Sequence, residues 1–487
     1  MKIRTMNGLW AGVVFLFFPL LKTQGEQKVL HLTVEKAIEI ALNESPTVNV
    51  ANLEIEKKKY SKKSAQSALY PQIDAMGQYT RTLQKMVTYM DGAFDMKGMF
   101  APALAGVEQT LINNVPNYTQ GELFDNFNTI YEQAMAGQDP DAGFEVGRDN
   151  EWQAGLTLKW PLIVPTLWKS LQISSLDVEL AVESARASRV NLTNEVKKAC
   201  YGVLMAQDAY NVFTESYNNA ELNYQDIKKK FDRGLVAEID LIRAEVRLKN
   251  EKPNVIQAQN ALTLAVLSLK ALMGIDMDQA VEIEGSLKDY EQQLFAEMLQ
   301  ADTSLTNNSD LKQFDIQAEQ LQKSLELYRA QYWPTVAVFG SYLYMSMNND
   351  FRFSDYKWNP YSTVGLSVSI PLFDGFQKSA QVKQTKVALE QMKWQREDVV
   401  RKLTLSVKNS VNSMTNYVEQ VFSTKDAVKL AKKGYDISQK LYDTGMGTLL
   451  ELNDAQLSYT QASLVYNQAI YNYLSAKTDL AKTMGLE

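Results

Sequence analysis

Hydrophobic positions along the chain follow two rhythms, and each predicts one kind of element. Over 196–231, Val196, Cys200, Val203, Gln207, Tyr210, Phe213, Tyr217, Ala220, Tyr224, Ile227 and Phe231 advance by threes and fours. Ten steps cover 35 residues, a mean of 3.5, the heptad value of a coiled coil. Only Gln207 breaks the apolar seam, and the other faces are polar, with runs such as Lys228-Lys229-Lys230. A long helix with one narrow stripe pairs laterally and leaves its remaining faces wet.

Elsewhere the period is two. Trp152, Ala154, Leu156, Leu158, Trp160 and Leu162 alternate with Gln153, Gly155, Thr157 and Lys159. Val364, Leu366, Val368 and Ile370 alternate with Thr363, Gly365, Ser367 and Ser369, and Ile73, Ala75, Gly77 and Tyr79 alternate with Gln72, Asp74, Met76, Gln78 and Thr80. The pattern predicts four strands, about 72–84, 152–163, 335–347 and 361–372, the third alternating less cleanly. Their lengths suit a tilted crossing of a bilayer. Tyr70, Trp152, Trp160, Trp333, Tyr361 and Phe373 stand at their ends, as in an interfacial aromatic girdle. Four strands cannot close on themselves, and lipid forbids open edges, so the pattern demands further copies of the chain.

The elements recur. KKFDRGLVAEIDLIRAEVRL (229–248) matches QKLYDTGMGTLLELNDAQLSY (439–459), pairing Gly234 with Gly445, Asp240 with Glu451 and Ala244 with Ala455 at an offset of 211. Leu272-Met273-Gly274 and Thr483-Met484-Gly485 keep that offset, and Trp160-Pro161-Leu162 and Ile370-Pro371-Leu372 stand 210 apart. Each half predicts a first helix (46–69; 309–332) stopped by Pro71 or Pro334, two strands, a long helix (167–231; 378–441), a Gly turn and a return helix (238–273; 449–484). The long helix, 65 residues in the first half, spans about 98 Å, close to the two shorter ones laid end to end. The simplest packing is one paired antiparallel column per half. The chain then divides into 1–25, a first repeat over 26–274, a linker over 275–308 and a second repeat over 309–487. The first repeat carries an insertion at about 85–150, and Met86, Met90, Met96 and Met99 in it read as a loosely packed loop.

Composition narrows the chemistry. With one Cys and one His in 487 residues, a disulfide framework and multi-His zinc sites are excluded, and His31 reads as part of a short helix entry. No nucleophile–base set or metal cluster is visible, so no enzyme, cofactor or metal is expected. Lys2 and Arg4 precede the apolar run Leu9–Leu21, with Thr23 and Gly25 small before a cleavage point, which predicts a secretory signal. Its removal takes the formal charge from −7 to −10, which argues against nucleic acid as a partner. No later stretch predicts a transmembrane helix.

LTVEKAIEIALNESP (32–46), IPLFDGF (370–376) and the duplicated turns GLVAEID and GTLLELNDA together resemble the outer-membrane efflux protein family, TolC-like. The resemblance covers essentially the whole mature chain. It implies an α+β membrane protein of the outer membrane: a homotrimer with a 12-stranded β-barrel continuing into a periplasmic α-helical coiled-coil barrel. It places the linker at the equator of the duct and the insertion outside the cell. It also implies a periplasmic adaptor protein and an inner-membrane RND-type or ABC-type transporter as partners.

Around Tyr442 the sequence YDTGMGTLLELNDA matches the family's gate segment without a gap. The resemblance gives the constricting acids to Glu451 and Asp454 and the gating tyrosine to Tyr442, with Asp240 as partner acid on the first repeat. The family's arginine falls on Gly447, so closure is expected to rely more on packing. Gly234, Leu235, Val236, Gly445, Met446, Gly447 and Thr448 form the tips expected to meet the adaptor. The implied function is a passive conduit for drugs or other small toxic compounds. The competing readings are the duct of a type I protein secretion system and, more remotely, a secreted coiled-coil structural protein.

Overall fold

Long runs poor in Gly and Pro give the molecule its helices, although Gly202, Pro253 and Gly434 lie inside helices without ending them. The computed structural model describes residues 29–88, 96–135, 144–291 and 304–486. In chain order these hold β1 (Leu30–Leu32), α1 (Val34–Glu44), α2 (Pro46–Ser67), β2 (Gln72–Arg81), β3 (Met86–Thr88), α3 (Met96–Asn114) and α4 (Glu122–Met135). There follow β4 (Phe144–Val146), β5 (Asn150–Ile163), α5 (Pro165–Asp232), α6 (Glu238–Met273), β6 (Val281–Ile283) and α7 (Ser309–Ala330). The order closes with β7 (Thr335–Asn348), β8 (Asn359–Ser369), α8 (Gln377–Asp443) and α9 (Leu449–Met484). The expected signal over 1–25, Met90 and residues 292–303 of the expected linker lie outside the described residues.

The duplication is written in the backbone. The long helices α5 and α8 have 68 and 67 residues, and the return helices α6 and α9 have 36 each. Gly234 and Gly445 end the long helices at φ 74° and 76°, and Gly274 and Gly485 cap the return helices at 74° and 71°. These are left-handed positions that glycine occupies without strain. The chain divides into two compact units. One comprises Met1–Lys63, Ser170–Glu326 and Ser379–Glu487, and the other Ser64–Lys169 and Leu327–Lys378.

The first unit is helical. Its core gathers Val196, Cys200, Val203 and Leu204 of α5, Leu269 and Met273 of α6, Val407, Met414, Val418 and Val421 of α8, and Ile470, Tyr473 and Leu474 of α9. Each such side chain contributes roughly 1.5–3 kcal/mol on burial. Packing within each half is as the helix lengths predict: Arg189 of α5 donates to Asn52 of α2 at 2.9 Å, and Arg396 of α8 to Asp315 of α7 at 2.6 Å. The halves are also stitched to each other, which separate columns do not describe. Gln456 of α9 donates to the Ser216 carbonyl of α5 at 2.9 Å, Asn194 of α5 to the Thr478 carbonyl at 2.8 Å, and Gln320 of α7 to Asp177 at 2.7 Å. The reason lies in α9, whose buried face mixes Leu452, Ile470 and Tyr473 with Gln456, Thr460, Ser463 and Asn467. Polar side chains sealed between helices need partners, and α5 supplies them for the Gln456 amide through the Ser216 carbonyl and hydroxyl.

His31 stands on β1, not on a helix entry. This strand pairs in parallel with β6, Leu30 opposite Val281, and ties the chain's start to the linker; His31 Nδ1 lies 3.5 Å from Glu282. The return helix α6 is long and apolar enough to cross a membrane by length and composition. It lies in the helical unit and exposes Val246, Ile256, Leu264 and Leu267.

The second unit contains an antiparallel four-stranded sheet in the order β2-β5-β7-β8. The strand ends differ slightly from the expected ones: β2 stops at Arg81 and β8 runs over Asn359–Ser369. Register brings the apolar positions together. Ala75 faces Leu156, Leu156 faces Tyr342 and Tyr342 faces Ser362; Ile73 faces Leu158, Leu158 faces Gly340 and Gly340 faces Val364. Side chains two apart share a face, so one surface carries Ile73, Leu156, Leu158, Val338, Tyr342, Val364 and Leu366. Much of it is bare, with Val364 81% and Leu366 61% exposed.

The insertion departs from the expected loose loop. It holds the helices α3 and α4 and the paired strands β3 and β4. Phe100 meets Phe127 at 6.1 Å, and Phe127 meets Tyr131 at 6.2 Å. Buried Glu108 accepts from the Gly121 amide at 2.7 Å, fastening the turn between the helices. The Gly- and Met-rich composition hid this, as did Pro102, which lies inside α3.

Candidate gate at the interhelical turns

Both long helices end in the same hydrogen-bonded turn. Leu235 N–H donates to the Lys230 carbonyl at 2.9 Å after Gly234, and Met446 N–H donates to the Leu441 carbonyl at 2.9 Å after Gly445. This six-to-one closure satisfies the last helical carbonyls and leaves the turn's own side chains outward. Leu235 and Met446 are 69% and 75% exposed. Val236, expected at the tip surface, turns inward and packs with Ile227 of α5, Ala244 of α6 and Leu449 of α9.

Tyr442 packs against that same cluster. Lys230 Nζ lies 5.1 Å from the centre of its ring and 2.7 Å from Asp226 Oδ2. Burial raises the Tyr442 phenol; the Lys230 charge opposes this, and Asp226, Asp240 and Asp443 add to it. The hydrogen bond to Asp226 raises the Lys230 ammonium. At neutral pH the pair is therefore a neutral ring under a full positive charge, the combination a cation–π contact requires. Asp240 instead lies beside Arg243, at 3.7 Å. Lys230 and Asp226 were not among the residues the sequence singled out. Their four-residue spacing on one helix was the available signal, overlooked because Lys228-Lys229-Lys230 reads as a wet face.

Gly447 has a steric reason of its own. A Cβ there would meet Leu441 Cβ at 3.0 Å and the Tyr442 nitrogen at 3.2 Å, a tight fit in which those neighbours must give by a few tenths of an ångström.

Glu451 closes a capping box at the start of α9. Thr448 N–H donates to Glu451 Oε2 at 2.8 Å, and Glu451 N–H donates to Thr448 Oγ1 at 3.2 Å. The Thr448 amide, then its hydroxyl, hold the Glu451 carboxyl below the usual carboxylate range. Asp454, one turn further on, is exposed. The two acids therefore differ: Glu451 is fixed to its own helix start, while Asp454 faces solvent.

The family model for outer membrane efflux proteins matches residues 37–275 and 301–486. The chain belongs to the outer membrane efflux protein family. Among its curated relatives is the outer membrane protein TolC of Vibrio cholerae, 21% identical over 355 residues, covering 71% of this chain and 80% of that protein. Another is the alkaline protease secretion protein AprF of Pseudomonas aeruginosa, 22% identical over 339 residues, covering 68% and 69%. The CmeC outer membrane channel of Campylobacter jejuni shares the fold, with a TM-score of 0.65 at 16% identity, covering 93% of this chain and 85% of that one. The protein is thus an efflux-family channel component of the outer membrane. Channels of this family are ducts rather than enzymes, and they work in tripartite systems with adaptors and inner-membrane pumps.

Proposed function

We propose that three copies of the chain close their sheets into a 12-stranded barrel and their helices into a duct. In this reading the homotrimer is a passive conduit for drugs or other small toxic compounds. The substrates come from a periplasmic adaptor and an inner-membrane RND-type or ABC-type pump. The observation that carries it is the bare apolar face of the β2-β5-β7-β8 sheet, whose outer strands β2 and β8 each have one neighbour in that sheet. Such a surface suits lipid, and its edges suit another copy. The exposed apolar stripe of α6 suits lateral packing between copies in the same way. A secreted coiled-coil protein without a pore has no use for this sheet. The likeness to AprF, an alkaline protease secretion protein, favours a second reading, the duct of a type I protein secretion system.

The aperture of this conduit is assigned to the turn after α8. Three copies bring six carboxylates, from Glu451 and Asp454, around one axis, where they attract cations. Leu235, Met446 and the glycine turns beside them are assigned to adaptor docking. Two measurements test the reading. Purified protein should run at three times the chain mass and conduct in planar bilayers; a monomer without conductance refutes the conduit. The pair Glu451→Ala and Asp454→Ala should raise conductance and lower cation preference, and an unchanged channel removes these acids from the gate. Because Glu451→Ala also opens the capping box, Asp454→Ala alone is the cleaner probe, and its effect should exceed that of Glu451→Gln.

A further inference from the structure

Phe376 sits at φ 67°, and Asn117 is the other non-glycine residue at positive φ among the described residues. Asparagine tolerates that region, whereas a bulky aromatic there is a true outlier. Gly375 before it has φ 65°, so two successive left-handed residues turn the chain between β8 and α8. A glycine at 376 would make this turn without strain. A strained conformation that keeps a large side chain points to work done by that side chain.

The ring is not used to fill a core. Phe376 and Phe373 stand edge to face with centres 5.5 Å apart, yet remain 74% and 77% exposed. Leu372 beside them is 93% exposed and Trp333 is 65% exposed. Lys378 ties the segment down: its Nζ lies 3.7 Å from Asp374 and 5.5 Å from the Tyr332 ring centre, at the entry to β7. Ile370 and Leu372, 57% and 93% exposed, keep in sequence the spacing of two that Val364, Leu366 and Val368 set, just past the end of β8 at Ser369. Aromatic side chains at the end of a lipid-facing strand belong at the boundary between headgroups and acyl chains.

We propose that Leu372, Phe373 and Phe376 form a wedge in the outer membrane, with the Phe376 ring in contact with phospholipid acyl chains. The left-handed turn at Gly375-Phe376 would hold the ring there. This rests on the reading that the sheet crosses the membrane, and the test separates the two. Phe376 is replaced in the full-length chain by the photoreactive amino acid p-benzoylphenylalanine, and Leu366, in the middle of the apolar face, is replaced likewise as a reference. Cells are irradiated, and the purified chain is weighed by mass spectrometry. The expected result is a gain of one phospholipid mass at both positions. Lipid adducts at 366 with water-quenched product or a cross-linked second chain at 376 overturn the wedge and leave the membrane sheet standing. Lipid adducts at neither position overturn both. The same replacement at Phe373 repeats the measurement if the 376 variant fails to assemble, and a protein cross-link or no adduct there also overturns the wedge.

Discussion

If the turn after α8 is the gate, as proposed, Lys230 and Tyr442 form the pair that stands where the arginine link is missing. The arginine implied by the family's gate segment is Gly447 here, and Lys230 reaches the Tyr442 ring from α5 instead. A contact of this kind contributes about 1 kcal/mol, and three in a trimer shift a closed-to-open ratio on the order of a hundredfold. Lys230→Met should therefore raise the open probability in bilayer recordings, while Lys230→Arg should restore most of the closed state. Equal behaviour of all three proteins would remove the latch. Cys200 gives a second test at this scale. Burial, helped by the negative charge of Glu35, pushes its thiol up to about 12. At pH 8 the thiolate fraction is then on the order of one in ten thousand. Maleimide should leave the native protein unlabelled and modify it after denaturation; rapid native labelling would mean that the α5 seam opens.

At the scale of elements, much was legible because periodicity carries through. The seam positions Val196, Cys200, Val203, Ala220 and Ile227 are buried, and the paired turns come at Gly234 and Gly445. Less legible was what crosses between elements. The hydrogen bonds of Gln456 and Asn194 join the two halves through residues that a hydrophobic pattern scores as polar. The hairpin α3–α4 was hidden by Pro102 and its glycines, where tertiary packing overrides local propensity. The acids proposed for the gate were legible only by resemblance, whereas the Thr448-x-x-Glu451 spacing already carried the signature of a capping box. Sheet pairing offers the sharpest test. A Cβ on Gly155 would lie 2.1 Å from the Tyr342 carbonyl oxygen and 2.7 Å from Leu343 Cα. Gly155→Ala must push β5 and β7 apart, a cost of about 1–3 kcal/mol or more. It should lower the yield of assembled, heat-resistant oligomer on gels, whereas Gly77→Ala, with open space around it, should not.

For the whole molecule, the hairpin insertion has a consequence for ions. Residues 85–149 hold three basic side chains, Lys85, Lys97 and Arg148, against ten acidic ones, so their balance equals the −7 of the entire chain. The rest of the sequence sums to zero, or to −3 once residues 1–25 with Lys2, Arg4 and Lys22 are removed. With the insertion outside the cell, as the family resemblance implies, a trimer brings about twenty negative charges to the outer mouth, each acting over a Debye length of about 8 Å. Such a collar enriches cations before they meet the pore and thins anions. In a tenfold potassium chloride gradient, deleting 85–149 should move the reversal potential towards zero, and raising the salt should erase the difference. An unchanged reversal potential would leave selectivity to the carboxylates at the other turns alone. The exit of this duct, rather than only its gate, then decides which ions pass alongside the cargo.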